Sequence, residues 1–200
     1  MGFNIEDGTG RGTAAGVDTT NRLLVRNVGE TIFQNAAEEG EAFFAGTPII
    51  EYTTATEIAV IHLVNNGDDP LVLGNFLLMA ETANATGPTR ITPAFYTISW
   101  YRNAGGMTNS TAFTPLNQNW GSSAVLEGNF SYGDGATSVI SGSPTPVATL
   151  SFPTEVLHNF EANLVLEKGS ELCITITPPA TNISMRFWFG TRLIRYIERY

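Results

Sequence analysis

Two hundred residues, 42% of them hydrophobic, suffice for one domain with a real core and an appendage. A net charge of −9 with a single lysine, Lys168, withholds the electrostatic attraction that dominates duplex binding, so no nucleic-acid partner is expected. No apolar run approaches the length of a membrane span, Met1–Glu6 lacks the basic and apolar regions of a secretory signal, and the lone Cys173 excludes an intrachain disulfide or a cysteine-based metal cluster.

The first expected element is an extended arm over residues 1–46. Gly8, Gly10, Gly12 and Gly16 make ordering costly and no apolar face offsets that cost, so the arm needs a partner surface. On such a surface Arg11, Arg22 and Arg26 supply polar registration, and Leu23, Val25, Ile32 and Phe33 supply buried area. The β-prone stretches 23–28 and 31–34 could add a strand to the chain's own domain, to a neighbouring subunit or to a shell protein. Gly40 interrupts Ala36-Ala37-Glu38-Glu39, so no stable helix is expected there. A phosphate-loop reading fails, because Gly10–Gly16 follows no strand, opens no apolar helix and lacks a Gly-Lys-Ser/Thr ending.

Residues 47–200 read as an all-β domain. From Glu57 onward, short apolar or period-two runs are each closed by Gly, Pro, Asn or Asp, without capped helical periodicity. Strands are expected over 57–65, 71–80, 94–102, 121–127, 138–140, 148–152, 163–167, 171–177 and 184–189. About eight to ten strands at this spacing make a jelly-roll β-sandwich the natural architecture. Asn65-Asn66-Gly67-Asp68-Asp69-Pro70 has the residues of a short turn, so the strands it joins are expected to pair as a hairpin. Lys168-Gly169-Ser170 is expected to join its two strands in the same way. The polar stretches 82–93, 103–119 and 128–137 read as loops.

Three groups of residues carry a family resemblance. Asp7-Gly8-Thr9-Gly10, Ala15-Gly16-Val17-Asp18 and Asn21-Arg22-Leu23-Leu24-Val25 resemble a common opening of tailed-bacteriophage structural proteins. Leu63-Val64-Asn65-Asn66-Gly67-Asp68-Asp69-Pro70-Leu71-Val72-Leu73 is similar to a recurrent strand-turn-strand of phage jelly rolls. Tyr101-Arg102-Asn103-Ala104-Gly105-Gly106, Pro115–Ser123 and Leu166–Leu172 complete the likeness. The resemblance implies a head decoration, or cement, protein on the outer surface of the virion head, made in the host cytoplasm. Its implied partners are the major capsid protein and other copies of itself, as a homotrimer. It transfers no catalytic residues.

Other chemistries are weighed against plainer roles. His62 and His158 are the only histidines, so no histidine-rich metal site can form within one chain, and neither metal nor cofactor is expected. Asp68, Asp69 and Asp134 lack the alternating oxygen ligands of a calcium loop and read as solvated turn residues. Cys173 reads as a buried small hydrophobe. A site of Ser122, His158 and Glu155 or Glu161 has no Gly-x-Ser-x-Gly elbow around the serine, so no enzyme is expected. Trp100 reads as core, whereas Trp120 and Tyr132 lie near loops and would carry the alternative function, a tail or receptor-binding sandwich that grips carbohydrate. Arg192, Arg195, Tyr196 and Arg199 fit equally an edge strand packed on the domain and an intersubunit contact.

Overall fold

A computed structural model describes residues 32–52, 54, 56–83, 95–153, 157–178 and 184–196. The elements are α1 (Ile32–Glu38), β1 (Ala42–Gly46), β2 (Ile50–Tyr52), β3 (Ile58–Asn65), β4 (Leu71–Ala83), β5 (Phe95–Arg102) and β6 (Ser110–Ala112). They continue with β7 (Leu116–Asn117), β8 (Gly128–Gly133), β9 (Thr145–Pro153), β10 (Leu157–Leu166), β11 (Glu171–Thr177) and β12 (Ser184–Arg195). Sheet one has the order β10-β4-β12-β1-β7, with β2 also on β12, and sheet two has the order β6-β8-β3-β11-β5-β9.

The pairing is nested. β12 returns onto β1 and β2, β11 onto β3, β10 onto β4 and β9 onto β5, all antiparallel. A long hairpin folded so that its successive pairs alternate between two sheets is a jelly roll, which is the expected fold. The stretch between β5 and β9 holds β6, β7 and β8, which widen the two sheets at one side.

Both expected hairpins are absent: β3 and β4 lie in different sheets, as do β10 and β11. Turn residues permit a reversal but do not choose the partner; here each connection crosses between the sheets, where both strands bury side chains in one core. The two crossings are stitched together. Asn65 buries its amide, donating to Asp69 O (2.9 Å) and Leu166 O (2.8 Å), while Gly169 N donates to Asn65 O (2.7 Å). Lys168 pairs with Asp68 across the same corner.

Other boundaries also move. Residues 32–46, expected to end the arm, form α1 and β1, and the compact unit begins at Ile32. Seven residues are too few for a helix to stand alone. Phe33 and Ala37 pack with buried Ala36 against Ala42, Val72 and Ile194, and this packing supplies what intrinsic propensity lacks. Gly40 stops the helix: at φ 79° it donates to Ala37 O (3.1 Å) while Glu41 N donates to Ala36 O (2.7 Å), the paired closure of a Schellman motif. Strand β8 occupies 128–133, where a loop is expected, because Phe130 is buried and Tyr132, two positions on and so on the same face, packs beside it. The expected strand 121–127 has no strand structure, and 138–140 supplies only an isolated bridge, Met107 to Ile140.

The core lies between the inner faces. Phe76 meets Trp100 and Phe189 with ring centroids 5.3 Å apart in each case, and Tyr96 meets Phe187 edge-on at 6.1 Å. Trp100 is 9% exposed, in the core as expected. Burying one such ring contributes roughly 1.5–3 kcal/mol.

Candidate functional site

The outward face of sheet one carries an apolar strip. Register places Met79 (β4), Trp188 (β12) and Leu157 (β10) side by side, with Phe44 (β1) and Leu116 (β7) further across the same face. Ile49, between β1 and β2, is 70% exposed, Leu116 71% and Leu157 59%. The Phe44 and Trp188 rings stack with centroids 6.3 Å apart and planes 22° apart. Glycine makes this possible: a β-carbon on Gly46 would stand 2.8 Å from the Phe44 ring, and one on Gly190 2.7 Å from Phe44 and 2.9 Å from Trp188.

A groove of about 300 Å³ runs between Ile49, Met79, Glu81, Arg186, Phe187 and Trp188. Arg186 donates through Nε to Glu51 Oε1 at 3.0 Å and lies opposite Glu81 in the ladder. At its other end the same face is covered by α1, where Phe33 sits on Gly74 and the Arg192 guanidinium lies 5.9 Å from the Phe33 ring centroid. The face is therefore one apolar strip, covered by a helix at one end and, among the described residues, open at the other.

Sheet two presents a polar face. Ser99 and Thr149 share a hydroxyl hydrogen bond of 3.2 Å, and Thr97 and Ser151 one of 3.4 Å. Glu57 accepts from Thr175 Oγ1 (2.5 Å) and Tyr101 OH (2.9 Å) beside a pocket of about 230 Å³. Burial, then the bond to Glu57, raises the Tyr101 pKa.

The expected site residues separate into three groups. Arg11, Arg22, Leu23, Val25, Arg26 and Arg199 lie outside the described residues, as does the Ile32 side chain. Phe33, expected to anchor the arm on a partner, packs instead on its own domain, because Gly74 leaves a bare backbone on which its ring rests. Of the expected intersubunit residues, Arg195 is engaged inside the chain, donating through Nε to Glu41 Oε2 at 2.5 Å; that bond raises its pKa. Arg192 is exposed beside Phe33, and Tyr196 is half exposed.

The two expected carbohydrate residues are not neighbours in a sheet. Trp120 follows β7, at the edge of sheet one, and is 98% exposed. Tyr132 lies on β8 in sheet two, opposite Ile61, with its ring 6.1 Å from that of Phe113.

The histidines, Cys173 and Asp134 have surroundings that account for them structurally. His62 is buried, with Nε2 2.8 Å from Glu171 Oε2, while Glu171 Oε1 accepts from Gly105 N at 2.8 Å. His158 lies against Phe152 and Tyr96, with Nε2 3.2 Å from Pro153 O, and Ser122 sits at the opposite side of sheet one, against Gly40. Burial pushes the Cys173 thiol up to about 12, and Glu171 and Glu57 add to the shift, so little thiolate forms at neutral pH. Asp134 organises its own loop. Desolvation opposes its ionisation, yet bonds from Thr137, Ala136 and Ser138 outweigh it and hold the carboxyl well below the usual carboxylate range. Among the described residues no three His, Cys, Asp or Glu side chains are gathered as a metal site.

Ile49, Met79, Phe44 and Trp188 are the surface residues that sequence reasoning misses. The available signal is the charge-free apolar run Phe76-Leu77-Leu78-Met79-Ala80 in β4 and the three consecutive aromatics Phe187-Trp188-Phe189 in β12, which place apolar side chains on both faces of the sheet.

No protein-family model and no curated protein matches the chain. The structure is similar to the crystal structure of Yersinia pseudotuberculosis-derived mitogen (YPM), with a TM-score of 0.33 and 10% identity over 78% of this chain and 89% of that one.

Proposed function

We propose that this chain is a decoration, or cement, protein of a tailed-bacteriophage head: a jelly-roll body, assembled as a homotrimer on the outer surface, that binds the major capsid protein through its N-terminal segment. The observation that carries this reading is the division of the chain. The jelly roll forms a compact unit from Ile32 onward, and its core is built from residues that follow. Arg11, Arg22, Leu23, Val25 and Arg26 all precede that unit and serve the partner surface in this reading.

Cementing is then mass action. A protein that binds only the assembled shell stabilises it by its binding free energy, about 4 kcal/mol when its free concentration is 1,000 times Kd. Three linked segments add avidity when the shell lets them engage together. The test is deletion of Met1–Thr31, followed by co-sedimentation with capsid shells. The shortened protein is expected to keep its circular dichroism and melting behaviour and to stay in the supernatant; attachment equal to that of the full chain would sink the reading.

One observation favours a second reading. An indole as exposed as that of Trp120 suits stacking on a sugar ring, as a receptor-binding sandwich would use it. Reproducible signal on a glycan array, lost in Trp120→Ala, selects that reading over the first.

A further inference from the structure

We infer that the open end of the outward face of sheet one, centred on Ile49, Met79 and Trp188, is the surface through which a second copy of this chain packs. Three observations point to this occupant. The first is continuity: α1 already covers one end of the strip, burying Ala36, Ala42 and Ile194, so the face is built to be covered. Solvent over its other end meets a groove whose walls are mostly Ile49, Met79, Phe187 and Trp188.

The second is charge. The chain carries −9 overall, so two copies repel each other over most approaches. On β2, β4 and β12 the outward charged side chains around the open end are Glu51, Glu81 and Arg186, so both signs meet there. Arg186 lies between Glu51 and Glu81 in the ladder and bonds only the first of them among the described residues, leaving Glu81 for the guanidinium of a neighbour. A face with an apolar centre and a rim of both signs is complementary to another copy of itself.

The third is area. Four strands about 4.8 Å apart, over nine residues of about 3.3 Å rise, give a footprint of roughly 600 Å² in projection before side-chain relief is added. A standard interface takes about 800 Å² per partner, so the face is of the right size for one protein contact.

A face that packs on its own copy closes a two-fold pair, whereas a homotrimer joins unlike patches, so the inference adds a pairing contact to the proposed function rather than its trimer interface; its test contains no shell, so either can fail alone. Light scattering coupled to gel filtration of the full chain is expected to give two chain masses. Ile49→Glu and Met79→Glu, both at exposed positions, should each shift the protein to a single chain mass, weakening association at least tenfold, with circular dichroism unchanged. Arg186→Glu should do the same, and adding Glu81→Arg to it should restore assembly. Val147→Glu, on β9 of sheet two, should leave the mass unaltered. A dimer supports the interface and removes only the trimer from the proposed function. A single chain mass for the unmodified protein overturns the inference, as does an oligomer indifferent to both Ile49→Glu and Met79→Glu. A rise in mass on deleting Met1–Thr31 also overturns it, since that segment would then be the cover.

Discussion

On β12 the outward residues Arg186, Trp188 and Gly190 alternate with the buried Phe187 and Phe189; on β5 the outward residues Thr97, Ser99 and Tyr101 alternate with Tyr96, Ile98 and Trp100. The inner faces are alike and interlock ring against ring. The outer faces differ: one carries stacked aromatics laid flat over glycine, the other a ladder of hydroxyls that solvent can satisfy. A sandwich needs only its inner faces to be apolar. An apolar outer face therefore points to a second packing duty: sheet one has a stacked apolar strip, whereas on sheet two the exposed Phe95 and Val147 flank a ladder of hydroxyls.

The sharpest way to separate the duties is within one strand. Phe189→Ala removes a fully buried ring touching Phe76 and should cost about 3–5 kcal/mol in urea denaturation. Trp188→Ala, one residue along, should cost much less in the isolated chain and instead weaken self-association. Equal losses of stability from the two would remove the distinction between the faces.

The covered end of sheet one gives the next effect. A β-carbon at Gly74 would run into the Phe33 ring, so Gly74→Ala should loosen α1 at a cost of about 1–3 kcal/mol. Against a Phe33→Ala background the same substitution should cost little, and that non-additivity in a double-mutant cycle is the measurement. Additive losses would mean that Phe33 does not fix the helix through Gly74.

What could be read from the sequence follows the same division. Inner-face residues obey local rules: Ile98 and Trp100 alternate with hydroxyls, so β5 is visible, and β11 is bounded as expected by Gly169 and Pro178. Connections are less legible, because Asn65–Pro70 and Lys168–Ser170 carry turn chemistry that fits a hairpin and a sheet-to-sheet crossing equally well. Their partners are chosen by packing between residues about a hundred positions apart, as Asn65 and Leu166 show. Helix α1 is hidden for a related reason. Gly40 reads locally as a breaker, but it is the C-terminal closure of a helix stabilised by Val72 and Ile194. The outer-face strip is written in the consecutive apolar residues Phe76–Ala80 of β4 and Phe187–Phe189 of β12, yet only strand pairing shows Met79 beside Trp188 and Leu157.

Acid provides a smaller effect on the loop after β8, at the side of sheet two. The folded chain holds Asp134 below its ordinary value of 3.8. Its contribution to stability is thus fully present above that value and is lost as pH falls through the folded value. Melting temperature should decline from pH 4 toward pH 2 with a component that Asp134→Asn removes, and the decline should be modest because the carboxylate is solvent-exposed. An identical acid profile in the variant would show that the Thr137 and Ser138 bonds do not stabilise the ionised form.

The smallest effect belongs to the polar outer face itself. Ser99 and Thr149 face each other across β5 and β9, and Ser99 is 7% exposed while its partner is open to water. Ser99→Ala removes one hydroxyl, but water can take its place at Thr149, so the cost should be about 0.5–1 kcal/mol in urea denaturation. The oligomer mass should not change. Ser99→Val together with Thr149→Val replaces the hydroxyl pair with β-branched carbon and should hold or slightly raise stability, since both members of a hydrogen bond are removed at once. It also gives sheet two the apolar outer surface that sheet one already has. If apolar area alone drives association, this double variant will self-associate through its new face; if the mixed-sign rim of Arg186, Glu81 and Glu51 is also needed, its mass will stay that of the parent.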